Sequence, residues 1–342
     1  NFNLAKPVEL TMFQGRDQAT GEQLGPRTPD PRGMASWKQF ERAFRKQLSF
    51  CLQHLLQLNN RADSARATFA PTPYLSNLVG GCIEKRTDVT AGGARYNFIT
   101  VEGVALATAA DSLSAVKRMV FEEARVSMGN LIAALETDFA DDEPLRQLLL
   151  NRAPKFGNDD PEADQMAHAV TRWWAEEAAD CTTPLTGKRY RGGYLSWNYG
   201  IAYAPNTAST PDGRKRGTYL SNGVAAVPGM DHRGPTAAAC SVGHLGLEVI
   251  PNGSSHTMSL SPAMLRDEAQ LMKLAAFLRG YCRHGGSALQ VNMVDVDTLR
   301  AAQKDPETYR NLLVRVTGYN AYFTNLGREM QEEIIAREAH RL

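Results

Sequence analysis

Apolar positions at Trp37, Phe40, Phe44, Leu48, Cys51, Leu52 and Leu55 recur at helical spacing, and Ser36 followed by Gln39 supplies the residue types of a capping box. That stripe predicts a helix laid against a core. A second helix is predicted from Asp111 or Ser112, with Leu113, Val116, Met119 and Val120 on one side. A polar, acidic stretch from Asp138 to Asp164 then precedes a helix carrying Trp173 and Trp174. From Leu195 to Tyr203 the pattern becomes alternation: Leu195, Trp197, Tyr199, Ile201 and Tyr203 share one face, and Ser196, Asn198, Gly200 and Ala202 the other. This predicts a strand with an aromatic-rich face.

Gly, Pro, Ser, Thr and Asn dominate from Ala204 to Pro262, including Thr210-Pro211-Asp212-Gly213 and Pro251-Asn252-Gly253, which predicts a long ordered loop region. Loops of that length in compact domains are usually functional. Beyond it the pattern reads as a helix from Pro262 to Tyr281, a strand from Ala288 to Val294, a helix from Thr298 to Asn311 and a strand from Leu312 to Val316. A closing amphipathic helix follows, with Leu326, Met330, Ile334 and Ile335 inward. Strand, helix, strand favours parallel pairing of the two strands. Gly318 then sits at the carboxyl end of a strand, where α/β proteins tend to place their sites. A glycine there has two readings: a bulge or tight bend, or a backbone carbon used for chemistry.

Composition narrows the classes. With 342 residues, 43% hydrophobic and 22% charged, the chain has material for one large domain or two. The net charge of +1 arises without runs of like charge, so nothing marks a nucleic-acid or membrane-surface tract. No apolar window approaches a transmembrane span and Asn1 to Lys6 lacks signal-peptide character, a reading that places the protein in the cytoplasm. Cys51, Cys82, Cys181, Cys240 and Cys282 are scattered, with no C-x-x-C and no zinc spacing, and are expected to be reduced thiols. Walker, dinucleotide, H-E-x-x-H and G-x-S-x-G motifs are all missing. Ser254-Ser255-His256 is read as a loop with a locally bonded histidine, because nucleophile and base normally converge from distant parts of a chain.

Arg315-Val316-Thr317-Gly318-Tyr319, followed by Asn320-Ala321-Tyr322-Phe323 and the closing helix, resembles the C-terminal radical loop of the glycyl radical enzymes. A Cα without a Cβ can flatten into a planar radical, is shared between two amides and can be approached closely. The resemblance runs along the chain in order: Asn3 to Leu10, Pro73 to Ser76 with Cys82-Ile83, Gly92 to Asn97, Asp111 to Leu113, Pro154 to Asp159, Thr210 to Lys215, Gly234 to Ala237, and Gln290-Val291-Asn292. It is similar to the branch holding diol dehydratases, choline lyase, arylacetate decarboxylases and fumarate-adding synthases.

The resemblance implies an α/β fold: half of a ten-stranded barrel over residues 1–203, then a loop region and glycyl radical domain over 204–342. It implies an oxygen-sensitive lyase or synthase with no bound cofactor and a radical on Gly318, supported by Arg315, Val316 and Tyr319. An activase using S-adenosylmethionine and an iron-sulfur cluster would install that radical, and a homodimeric assembly is expected. The radical would pass to a cysteine in a Gly-Cys-Val-Glu type motif upstream of Asn3, in a part of the enzyme outside this sequence. The chain is therefore read as a fragment, unable to turn over substrate alone, with that N-terminal half as a partner. Gly81-Cys82-Ile83-Glu84 mimics the motif, but its neighbours align Cys82 with a non-catalytic position.

Trp197, Tyr199, Ile201 and Tyr203, if their face lines the barrel, favour a hydrophobic or aromatic small-molecule substrate. Asn320 to Phe323 likewise looks more like the fumarate-adding or arylacetate-decarboxylating members, and His256 to Pro262 departs from the family's usual residues. The alternative reading is a radical-bearing accessory or repair subunit that docks on a partner enzyme.

Overall fold

The computed structural model describes residues 1–195, 197–337 and 339–340. The chain opens with a short strand, Phe2–Asn3 (β1), parallel to Phe98–Val104 (β2), which is in turn parallel to Arg189–Gly193 (β3). The line of strands continues through a parallel bridge between Tyr194 and Ser254 into Ser255–Leu260 (β4), which runs parallel to Ala288–Asn292 (β5). Leu313–Arg315 (β6) and Asn320–Tyr322 (β7) form an antiparallel hairpin, and Ala339–His340 (β8) returns to the far end of β4. Parallel neighbours cannot be joined by tight turns, so helices carry the crossovers. Those of Trp37–Phe69, Leu106–Ala115, Pro161–Ala179 and Glu268–Arg283 pack behind the strands.

Among the described residues the hydrophobic side chains gather into two cores that bear on the site and a third small cluster of Ala5, Val104, Ala105 and Leu220. The first joins β1 to β5 to the covering helices, and side chains from both sides of residue 203 share it, from Phe2 and Trp174 to Met258 and Tyr281. Trp174 is fully buried there, with its indole N–H donating to Tyr194 Oη at 3.0 Å. Gly103 and Gly192 make room for it, since a Cβ on either would come within 3.0 Å of the indole. The second core is small and local: Leu299, Ala302, Val314, Val316, Phe323, Ile334 and Ile335. It unites the Val296–Lys304 helix, the β6/β7 hairpin and the Arg328–Ala336 helix. Among the described residues no helix is long and apolar enough to cross a membrane.

Several elements differ from the periodicity reading. The expected strand from Leu195 to Tyr203 is a turn followed by one turn of helix, Tyr199–Ala202; Ser196 lies outside the described residues. Trp197 takes a left-handed φ of 45°, and the Tyr199 and Tyr203 rings lie 5.5 Å apart, tilted by 37°, a pair brought together by helical i,i+4 spacing. Gly200 allows the Leu220 carbonyl to approach, 2.7 Å from where a Cβ would stand. The region from Ala204 to Pro262 is not all loop: it holds the Pro235–Gly243 helix and β4, whose polar residues are buried throughout. His256 is therefore a buried strand residue stacked on Tyr281 at 5.6 Å, not a loop histidine.

The strand β6 pairs with β7 and not in parallel with β5, because a two-residue turn offers β6 a partner at once. The helix expected at Asp111 starts at Leu106 and passes beyond Ala115 into a π-helical stretch, Val116–Glu122. Ser36 is the N-cap residue of its helix without a side-chain cap; Gln39 Oε1 instead accepts from the Ala35 amide at 2.8 Å. The acidic stretch contains the Glu143–Arg152 helix.

Asp111 is fully buried, with Oδ1 accepting from the Phe156 amide at 2.8 Å and Oδ2 without a partner. Burial pushes its pKa up to about 8 against the pull of Lys155. Between the ordinary 3.8 and about 8, the native state keeps a proton that the unfolded chain releases, so stability falls as pH rises across that window. Urea midpoints taken at pH 5 and pH 8 are expected to show this decline in the wild type. Asp111→Asn, which keeps an acceptor for Phe156, should flatten it; an equal slope in both proteins would remove Asp111 as its cause.

Candidate functional site

The β6/β7 hairpin turns through Thr317 and Gly318, and Val316 N–H closes it on the Tyr319 carbonyl at 2.9 Å. Gly318 has φ 77°, the left-handed region that favours glycine. A Cβ there would meet nothing within 4 Å, and the residue is exposed. Backbone conformation, not crowding by this chain, is what calls for glycine.

Side chains from other parts of the chain hold the hairpin. Asn292, at the end of β5, accepts from Arg315 N–H at 2.6 Å and donates to the Arg315 carbonyl at 2.7 Å, so one side-chain amide takes the place of a neighbouring strand. Gln290, two residues earlier on the same face of β5, accepts from Gly318 N–H at 2.6 Å and from Arg315 Nε at 3.0 Å. Arg337 donates Nη1 to the Arg315 carbonyl at 3.2 Å while buried against Glu333. Asn222 Nδ2 donates to Thr317 Oγ1, and Thr317 is buried. Arg315 itself donates Nη1 to Asn320 Oδ1 at 3.3 Å across the hairpin.

On the other side of the turn Tyr319 Oη accepts from Asn198 Nδ2, and its ring lies 6.1 Å from that of Trp197. Trp197, Asn198 and Tyr199 line a cleft of about 510 Å³ together with Asn1, Glu102 and Ala202. Glu102 accepts from the Leu195 amide at 2.8 Å and from the Asn252 side chain, tying the cleft floor on β2 to its wall.

Of the residues expected at the site, Arg315, Val316, Gly318 and Tyr319 converge on the hairpin, with Val316 fully buried beneath it in the second core. Trp197 and Tyr199 reach the cleft. Tyr203 packs on Ala5, Val104 and Leu220, and neither it nor Ile201 lines the cleft. No aromatic strand face forms; Trp197 and Tyr199 alone of the four line the cleft. Cys82 is buried at the start of a short helix, Cys82–Lys85. Gln290, Asn292, Asn222 and Arg337 were not singled out as site residues. A signal was present only for the first two, a Gln-x-Asn at strand spacing.

The pyruvate formate lyase-like family profile matches residues 1–204, and the glycine radical profile matches residues 220–324, which contain the hairpin. The chain belongs to the glycyl radical enzyme family. Trans-4-hydroxy-L-proline dehydratase of Clostridioides difficile is 34% identical over 98% of this chain and 42% of its own length. The glycerol-bound B12-independent glycerol dehydratase of Clostridium butyricum superposes with a TM-score of 0.95 at 38% identity, covering 100% of this chain and 43% of that one. The glycyl radical subunit of 4-hydroxyphenylacetate decarboxylase from C. difficile is 28% identical over 97% of this chain and 39% of its own length. The chain thus spans less than half the length of each, and its identity is higher with the two dehydratases than with the decarboxylase subunit.

Proposed function

We propose that this chain is the radical-bearing portion of a glycyl radical lyase, with Gly318 as the residue that stores the unpaired electron. The observation that carries this reading is the hairpin tip. It pairs a left-handed glycine with open space around its Cα and a clamped backbone N–H, inside the stretch matched by the glycine radical profile. In the division proposed here, residues 1–203 supply half of the barrel and 204–342 the loop region and radical domain.

A radical S-adenosylmethionine activase with an iron-sulfur cluster would remove one hydrogen atom from the Gly318 Cα. In turnover that carbon takes a hydrogen atom from a cysteine outside this sequence, leaving a thiyl radical, and the same atom returns to the thiol at the end. Gly318 is exposed in this chain, so shielding of the stored radical falls to the remainder of the barrel. Arg315, Val316 and Tyr319 support the turn. The cleft beside it, with Glu102, Asn198 and Trp197, is proposed as part of the substrate pocket. The higher identity to hydroxyproline and glycerol dehydratases favours elimination from a small hydroxylated molecule.

The test is anaerobic activation followed by electron paramagnetic resonance. A doublet from the remaining α-hydrogen is expected, collapsing when the protein is made with α-deuterated glycine and vanishing in air. A signal indifferent to glycine deuteration would sink the proposal.

A further inference from the structure

We infer that Gln290 is a positioning residue for the stored radical: its side-chain oxygen locks the Gly318 amide and tunes the electron density that this amide feeds to the α-carbon. The inference rests on the assignment of the radical to Gly318 and adds a named side chain to it.

Gln290 Oε1 accepts from Gly318 N–H at 2.6 Å and from Arg315 Nε–H at 3.0 Å, which occupies both lone pairs of one carbonyl oxygen. The second contact decides which end of the amide faces the turn. A guanidinium only donates, so Arg315 rejects the Gln290 amino group and holds its oxygen toward Gly318. Arg315 is itself immobilised, its backbone N–H and carbonyl both bonded by Asn292. The order Asn292, Arg315, Gln290, Gly318 is therefore a continuous hydrogen-bonded brace running from strand β5 to the tip of the hairpin.

The electronic consequence follows from general chemistry. A glycyl α-radical is stabilised by electron donation from the nitrogen on one side and withdrawal by the carbonyl on the other. An acceptor on the N–H leaves more density on that nitrogen, and a fixed amide plane keeps its p orbital aligned with the half-filled orbital. Gly318 is otherwise exposed, so no enclosing wall of this chain imposes that plane.

The test uses the full chain labelled with 15N-glycine, as wild type, Gln290→Leu and Gln290→Glu. Before activation, exchange of the Gly318 N–H with solvent should quicken about tenfold in Gln290→Leu, the worth of one hydrogen bond. Gln290→Glu keeps the acceptor and should remain as protected as wild type. After anaerobic activation, the 15N hyperfine coupling should change in Gln290→Leu and be restored in Gln290→Glu, a readout that a merely structural role would not move. Should circular dichroism find Gln290→Leu unfolded, Gln290→Glu decides alone: unprotected exchange there overturns the inference, and wild-type protection supports it. Equal exchange and equal coupling in wild type and a folded Gln290→Leu also overturn it. A signal that persists in Gly318→Ala would instead remove the radical assignment itself, so the two failures are distinguishable.

Discussion

Gly318→Ala is expected to give a folded protein that cannot be charged with a radical. The methyl group meets no atom within 4 Å, so the substitution introduces no clash. Its structural cost is the left-handed backbone at φ 77°, about 1–2 kcal/mol for a residue with a Cβ. Urea denaturation should register that modest loss, and circular dichroism none. The functional loss should be complete, because the methyl group stands beside the carbon that must flatten and be approached closely from outside. Paramagnetic resonance after anaerobic activation checks this, and a signal like that of the wild type would refute the assignment.

Arg337→Met is expected to destabilise the second core more than any other single change near the hairpin. The Arg337 guanidinium reaches Glu333 at 2.6 Å and 3.0 Å with side-chain exposures of only 7% and 5%, and it also bonds the Arg315 carbonyl. Removing one partner of a buried pair leaves the other charge stranded, typically at about 3–5 kcal/mol. Because that core is local, the loss should appear first as faster hydrogen exchange across Leu313 to Arg315, ahead of any change in Trp174 fluorescence from the main core. Glu333→Leu combined with Arg337→Met should recover most of the loss by removing the stranded charge. A single variant within about 1 kcal/mol of wild type would mean the pair is as weak as one on the surface.

Helices were legible in the Trp37–Phe69 and Arg328–Ala336 segments, where one face meets solvent and the other the core, but not at Glu143–Arg152, whose buried side is only Leu145 and Leu149. The central strands were not. β4 reads Ser-His-Thr-Met-Ser-Leu and is buried at every position, so it offers no contrast between wet and dry faces. β3 ends in Gly192 and Gly193, which signal a turn in isolation but here admit Trp174 and Glu102. Conversely, the aromatic alternation around Trp197 and Tyr199 imitates a strand because a helical turn also places Tyr199 and Tyr203 together. Gly318 was legible through the residues around it, Arg315 to Phe323, and not through its backbone alone, since Gly81, Gly213 and Gly253 also take a positive φ. Gln290 and Asn292 were visible as residues, but what they face depends on β6 pairing with β7, which the strand-helix-strand order did not foretell.

The Asn292 amide that bonds Arg315 on both sides has a mechanical consequence. A strand woven into a sheet cannot leave without unravelling its neighbours, whereas β6 is bolted to β5 through side chains and keeps its own ladder with β7. The path into this unit from β5 and the path out to β8 both end on β4, like two hinges on one door post. Releasing a handful of side-chain contacts would therefore free the hairpin from β5 with its own ladder and the small core of the unit intact.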